Sequence, residues 1–204
     1  MNATDLADHF GSLDIYLFDQ LLKGRFEGRS RLLDAGCGRG RNLRYFLRNG
    51  FSVHAIDQEA SAVDQVRAMA AELAPGLSGS NFQVAPLEAI PFASGQFDAV
   101  ICNAVLHFAR DPQHFSAMWS ELGRVLGKGG LLFVRLASSI GIEDQLQDLG
   151  QGRYRLPDGS ERFLVDEPGI ARMVQSFGGE LLDPLKSTVV SGRRSMTTLC
   201  LCKA

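Results

Sequence analysis

Three glycines on alternate positions, Gly36, Gly38 and Gly40, follow an acidic residue, Asp34, at the end of a short apolar run. Glycine adopts positive φ without strain and lets the backbone come close to a ligand. The amphipathic segment beyond them, Leu43 to Leu47, starts with unpaired N–H groups that favour negative charge. Strand, glycine turn and helix in that order make a crevice at the carboxyl end of a strand, where α/β proteins bind nucleotide-like ligands. A second carboxylate, Asp57, ends the next apolar run, Ser52 to Ile56, twenty-three residues after Asp34. At a strand tip with that spacing it can accept both hydroxyls of a ribose. It can equally cap the helical segment that follows, Ala60 to Leu73.

The glycine spacing narrows the ligand. A dinucleotide fingerprint reads G-x-G-x-x-G, whereas here the residue three after Gly38 is Arg41. The missing glycine is the one that lets helix and strand pack closely under a pyrophosphate. Asp34 repels a diphosphate and suits an ammonium group. An adenosine ligand carrying an ammonium points to S-adenosylmethionine rather than a nicotinamide or flavin dinucleotide. Methyl transfer from a sulfonium needs a nucleophile held in line, and positioning can supply about 7–11 kcal/mol of the barrier reduction. Three side chains are candidates at the acceptor. His107, after the fourth strand, can deprotonate a hydroxyl or thiol near neutral pH, or else pack structurally against Phe108. Arg135, a charge near the end of a buried strand, can clamp an acidic substrate or pair with Glu143 or Asp144. Tyr16 can close over the cofactor, hydrogen-bond the substrate, or pack on the core.

The elements that must carry these residues alternate regularly. Residues 4 to 24 show apolar spacing on one helical face, with a break at Gly11, and lead through a glycine-punctuated linker to residue 30. Beyond the glycine loop come a helix stopped at Asn49-Gly50, the strand ending at Asp57, and the helix closed by Pro75 and Gly76. A third strand, Phe82 to Ala85, leads into the loop P-L-E-A-I-P-F. Phe97 to Cys102 is a nearly all-apolar fourth strand with Asn103 at its tip. Asp111-Pro112 starts a helix running to about Leu126, and Leu131 to Leu136 is a fifth strand. Five alternations predict a doubly wound parallel sheet. The polar stretch Ser138 to Val165 interrupts them with a hairpin turn at P-D-G and is expected to form a lid over the ligand crevice. Glu167-Pro168 opens one more helix. Two closing runs, Glu180 to Val190 and Arg193 to Cys202, joined by Ser-Gly, should be antiparallel neighbours.

With 204 residues, 45% hydrophobic and 22% charged, the chain suits one well-buried domain rather than two, with residues 1–30 as an N-terminal helical cap and 138–166 as an insertion. A formal net charge of −2 gives no electrostatic case for general nucleic-acid or membrane binding. The arginine clusters at 25, 29 and 31 and at 39, 41, 44 and 48 read as a solvated helix face. Four scattered cysteines fit neither a disulfide framework nor zinc ligation and are expected to be free thiols in a reducing compartment. The N-terminus shows no signal-peptide pattern, and no stretch approaches a membrane span, so a cytoplasmic location is expected.

Taken together, L-L-D-A-G-C-G-R-G, Asp57 after the second strand, I-P-F with F-D-A-V, and E-L-G-R-V-L-G-K-G-G-L-L-F resemble the class I S-adenosylmethionine-dependent methyltransferases over about Arg31 to Leu136. Within that family the chain is most similar to small bacterial enzymes acting on small molecules, including the tellurite-resistance type. The resemblance implies a Rossmann-like α/β fold: a doubly wound, seven-stranded mixed sheet with its last strand antiparallel and helices on both faces. It also implies that Asp34, Gly36 and Gly38 surround the methionine part of S-adenosyl-L-methionine, with Cys37 and Asn42 also in contact with the cofactor. Asp57 would take the ribose hydroxyls, Gln58 and Leu87 would lie at the adenine, and Asn103 would stand near the methyl donor. At Pro86 many relatives place an acid toward the adenine amine, so here either Glu88 substitutes or that contact is made by backbone alone. The fourth strand tip reads N-A-V-L-H, without the N-P-P-aromatic motif of amino-methyltransferases that flip bases, which argues against DNA as substrate. A small-molecule acceptor is expected, with no nucleic acid, membrane or metal, for a monomer or homodimer. A nucleotide-dependent oxidoreductase and a non-catalytic S-adenosylmethionine-binding protein are the alternatives.

Overall fold

The computed structural model describes residues 3–204, so the first two residues of the expected N-terminal cap lie outside the described residues. Strands β1 (Arg31–Ala35), β2 (Ser52–Asp57), β3 (Phe82–Val84), β4 (Phe97–Asn103) and β5 (Leu126–Ser138) pair in parallel in the order β5-β4-β1-β2-β3. The strand β11 (Arg194–Lys203) then lies antiparallel beside β5. Its far side is shared by two short strands, β9 (Gly179–Leu181) and β10 (Lys186–Val190), both antiparallel to it. The main sheet therefore has eight strands in seven positions. Glu180 to Val190, expected as one strand, is divided around Pro184, which has no N–H to give to a ladder.

Helices cover both faces. α5 (Pro112–Val125) and α6 (Glu167–Phe177) pack Phe115, Trp119, Leu122, Ile170, Met173 and Phe177 onto one side of the sheet. α2 (Ile15–Leu22), α3 (Arg44–Arg48) and α4 (Ala60–Leu73) cover the other, through Leu17, Phe46, Leu47, Val63, Val66 and Ala70. The helices start where their caps dictate. Asp111 Oδ1 accepts the His114 N–H at 2.7 Å and Asp166 Oδ1 that of Gly169 at 2.7 Å, each with a proline in the first turn. The central strand β4 is buried almost throughout, as a strand covered on both faces must be. The N-terminal segment breaks at Gly11 (φ +64°) into α1 (Ala3–Phe10) and α2. Phe10 stacks on Tyr45 and meets Phe18 edge-on, fastening this cap to α3.

The polar insertion forms its own three-stranded antiparallel sheet, β6 (Gln147–Gly150), β7 (Arg153–Arg155) and β8 (Glu161–Phe163). The expected Pro157-Asp158-Gly159 turn joins β7 to β8, and Asp158 Oδ1 accepts the Ser160 N–H at 2.9 Å. The third strand, β6, had no clear apolar alternation to announce it, since all four of its residues are exposed. Among the described residues, no helix is long and apolar enough to cross a membrane.

Candidate functional site

A cavity of about 880 Å³ opens at the carboxyl ends of β1, β2 and β4. Gly36, Cys37, Gly38 and Asn42 line it from the loop after β1, Asp57 and Gln58 from the end of β2, Leu87 from the loop after β3, and Asn103 from the tip of β4. Of the nine residues expected around the cofactor, only Asp34 is not in the wall itself. It is buried on β1, two residues before Gly36, with 1% of its surface exposed.

The glycine loop is held in a shape that only its sequence permits. Gly36 sits at φ +82°, and a Cβ there would lie 2.4 Å from Val105 Cγ2. The N–H groups of Gly36 and Cys37 both donate to the Ile56 carbonyl, at 2.8 and 2.9 Å, which pins the loop to β2. The Gly38 N–H donates to Asp57 Oδ2 at 2.8 Å, and Asp57 Oδ1 accepts the Glu59 N–H at 3.0 Å. Asp57 thus supports both the glycine loop and the turn into α4, although the N-cap position of α4 belongs to Glu59. An ionised carboxylate has about four acceptor sites, so two contacts leave capacity for a ligand hydroxyl pair.

Asn103 supplies a polar group to the cavity wall, and Asp34 lies buried behind the glycine loop. Asp34 lies opposite Ile101 on β4, and Asn103 opposite Arg135 on β5. Asp34 Oδ2 and both polar atoms of the Asn103 side chain are buried without a hydrogen-bond partner among the described residues. Burial first, and the nearby Asp57 charge second, push the Asp34 carboxyl up to about 7, against partial relief from Arg41. Buried polar atoms left unpaired carry a desolvation cost, which a polar ligand seated on them removes.

The three acceptor-side candidates stand elsewhere. His107 is buried and does not line the cavity. Its Nδ1 accepts the Ala137 N–H at 3.2 Å, and burial, with help from Arg162 and Arg135, pushes its pKa down to about 4. It is thus a neutral imidazole with its basic nitrogen engaged, in contact with Phe108. Arg135 pairs with neither Glu143 nor Asp144. Its Nη1 is 3.5 Å from Asp14 Oδ2, and its guanidinium lies over the Tyr16 ring at 5.1 Å from the centroid. Tyr16 does not reach the cavity either, because its hydroxyl is hydrogen-bonded to Thr188 Oγ1 on β10.

Other residues also form the site, and apart from Glu88, left open at the adenine side, they were not apparent from the sequence. Arg39, Arg41 and Arg44 line the cavity; Arg39 and Arg41 are solvent-exposed and precede α3, and only Arg44 and Arg48 lie on the helix. Gly11 and Ser12 close one side of it, between α1 and α2. At the other side Glu88 turns toward α5, with Oε2 3.2 Å from His114 Nε2 and Oε1 3.7 Å from Arg110 Nη2. Burial works against the Glu88 charge, yet its hydrogen bonds, to its own backbone N–H and to His114, and the Arg110 guanidinium hold its pKa below the ordinary value. The signal for this group was the helix start at Asp111-Pro112, which puts Arg110 and His114 beside a strand tip. The insertion contributes no side chain to the cavity wall; Arg162 reaches over the Phe108 ring, and Phe108 does line the cavity.

Residues 33–134 match the model of a family described as methyltransferase domain. A malonyl-[acyl-carrier protein] O-methyltransferase from Enterobacter lignolyticus is 37% identical over 141 residues, covering 68% of this chain and 50% of that protein. A ubiquinone biosynthesis O-methyltransferase from a Caulobacter strain is 30% identical over 157 residues, covering 70% of this chain and 60% of that one. The chain therefore spans about half the length of the curated relatives it matches. Among solved structures, a SAM-dependent methyltransferase from Methanosarcina mazei superposes with a TM-score of 0.71 at 20% identity, over 90% of this chain and 96% of the other.

Proposed function

The chain belongs to the class I S-adenosylmethionine-dependent methyltransferase family, and from that premise we propose that it binds S-adenosyl-L-methionine in this cavity and methylates a small-molecule acceptor. The observation that carries the reading is a pair of unanswered buried polar groups at and just behind the cavity wall. Asp34 Oδ2 on β1 and the Asn103 amide at the tip of β4 are buried and unpartnered, and the glycine loop joins them to a second carboxylate, Asp57, at the tip of β2. These residues fit the cofactor: a carboxylate for an ammonium, an amide for a polar neighbour, and strand-tip acceptors for a ribose diol.

When bound, S-adenosylmethionine supplies a methyl group on a sulfonium for in-line displacement by a nucleophile. The rest of the work falls to the chain. The N–H groups and glycines of the loop admit close approach of the amino-acid end. Asp57 orients the ribose and Leu87 lies against the adenine. Asn103 sits at the end nearest the acceptor. Held in line, the reacting groups gain about 7–11 kcal/mol from positioning alone in favourable cases, so a dedicated base is not required. Oxygen comes first among acceptor atoms, because relatives that match this chain are named O-methyltransferases. The acceptor is a small molecule met by a monomer or homodimer, and the insertion stands beside the cavity through Arg162 over the Phe108 ring.

Calorimetric titration with S-adenosylmethionine and S-adenosylhomocysteine tests the binding half. Incubation with methyl-labelled cofactor and fractionated metabolite extracts tests transfer. Formation of S-adenosylhomocysteine only in the presence of an extract fraction is the expected result. Absence of binding refutes the site, and binding without product from any fraction refutes the transfer.

A further inference from the structure

One buried carboxylate outside the cavity wall ties together the elements that close its amino-acid end. Asp14 follows the Gly11 break and has 6% of its surface exposed. Its Oδ1 accepts the Tyr16 N–H at 2.9 Å, capping α2. Its Oδ2 accepts from Arg41 Nη2 at 2.8 Å and lies 3.5 Å from Arg135 Nη1. Its own N–H donates to Asn42 Oδ1 at 3.1 Å. One residue therefore contacts the N-terminal cap, the exit of the glycine loop and the tip of β5. Two of its partners, Arg41 and Asn42, line the cavity, as do Gly11 and Ser12 just before it.

The position within the sheet says which end of the ligand is affected. Strand order runs β3-β2-β1-β4-β5, with Asp57 and Leu87 at the β2–β3 side and Arg135 at β5. Asp14 stands on the β5 side, beyond the glycine loop from the ribose and adenine positions. Without its charge, the Arg41 and Arg135 guanidiniums would face the same partly buried space uncompensated, while the backbone N–H of residue 14 would still hold the Asn42 amide. Asp14 and Arg135 have side chains only 5% and 18% exposed, so solvent screens this arrangement far less than an ordinary surface pair.

We propose that Asp14 is a positioning residue: a latch that fixes Arg41, Asn42 and the Gly11–Ser12 strap around the amino-acid end of the cofactor. The proposal rests on reading the cavity as an S-adenosylmethionine site. The latch closes the site where the cofactor carries its ammonium and carboxylate and leaves the adenosine end untouched.

Asp14→Asn isolates the charge, since asparagine caps a helix as well as aspartate and keeps the backbone N–H. The probes are S-adenosylhomocysteine and 5′-methylthioadenosine, which shares the adenosine but lacks the amino-acid end, each titrated calorimetrically into the folded protein. The expected result is a loss of tenfold or more for S-adenosylhomocysteine with methylthioadenosine unchanged within twofold. Arg41→Gln, at a half-exposed side chain with little folding risk, should reproduce the split even if Asp14→Asn folds poorly. Equal losses for both ligands, or no loss for either, overturn the latch. Binding of neither ligand by the unaltered protein overturns the cofactor reading itself, and the latch with it.

Discussion

Replacing Asp34 by Asn separates the cost of burying a charge from its use in holding a ligand. The carboxyl is lifted from its ordinary value of 3.8 to about 7, chiefly by burial and secondarily by Asp57. Between those two values the folded chain holds a proton that the unfolded chain has released, so stability falls as pH rises. From about pH 5.5 to about pH 8, this single group removes roughly 2 kcal/mol, and little more is lost above that range. His107 works in the opposite direction. Burial holds it neutral with a pKa near about 4, so its penalty is felt in acid and relieved as pH rises. Over the same interval that relief restores about 1 kcal/mol, which masks much of the Asp34 slope in the native protein. The difference between native and Asp34→Asn curves removes the His107 contribution. Urea denaturation at both pH values should show the variant gaining about 2 kcal/mol on the native protein at the higher pH. Saturating S-adenosylhomocysteine should narrow that gap, because its ammonium answers the native carboxylate and has no charge to meet in the variant. Native affinity should also rise with pH up to about 7 and stay flat in Asp34→Asn. Parallel denaturation differences at the two pH values would refute the burial account, and parallel affinity profiles would refute the ammonium contact.

Three further outcomes follow from the same geometry. Asp57→Ala should weaken S-adenosylhomocysteine binding by roughly 1–3 kcal/mol, and it should also loosen the loop by stranding the Gly38 and Glu59 N–H groups; unchanged calorimetric affinity in the folded variant would defeat the ribose assignment. Gly36→Ala combines a strained φ with a contact against Val105 and should cost on the order of 2 kcal/mol or more in a urea melt, with cofactor binding lost. Adding Val105→Ala should recover only the steric share. For His107→Gln, the pH–rate profile of the acceptor reaction should keep the native shape, since the imidazole is already neutral and turned to Ala137; loss of an acid-side inflection in the variant would reinstate it as the general base.

Much of the fold was legible because its determinants are local. The limits of α4 agree with the sequence reading at Ala60 and Leu73, and α5 starts at the expected Asp-Pro cap. Periodicity, caps and breakers act within a few residues, so they survive without tertiary knowledge. The closing strand that divides at Pro184 and the exposed β6 were hidden for the converse reason. Ladder pairing of a short, polar strand is decided by the neighbour it finds, not by its own alternation.

The candidate site divides along the same line. Gly36, Gly38 and Asp57 could be placed from the chain alone because a turn requiring positive φ and a carboxylate at the next strand tip are fixed by spacing within one β-α-β unit. Sequence therefore determined the kind of crevice and the class of ligand. It could not determine how each charge is answered. Arg135 meets Asp14 across 121 residues, Glu88 meets His114 and Arg110 on a different element, and His107 turns to a backbone N–H on β5. Those partners, and the unpaired state of Asp34 and Asn103, exist only once distant strands and the N-terminal cap are packed together. The physical reason is range. Backbone conformation is set by adjacent residues, whereas the energy of a buried charge depends on every group within a few ångströms, whatever its place in the chain.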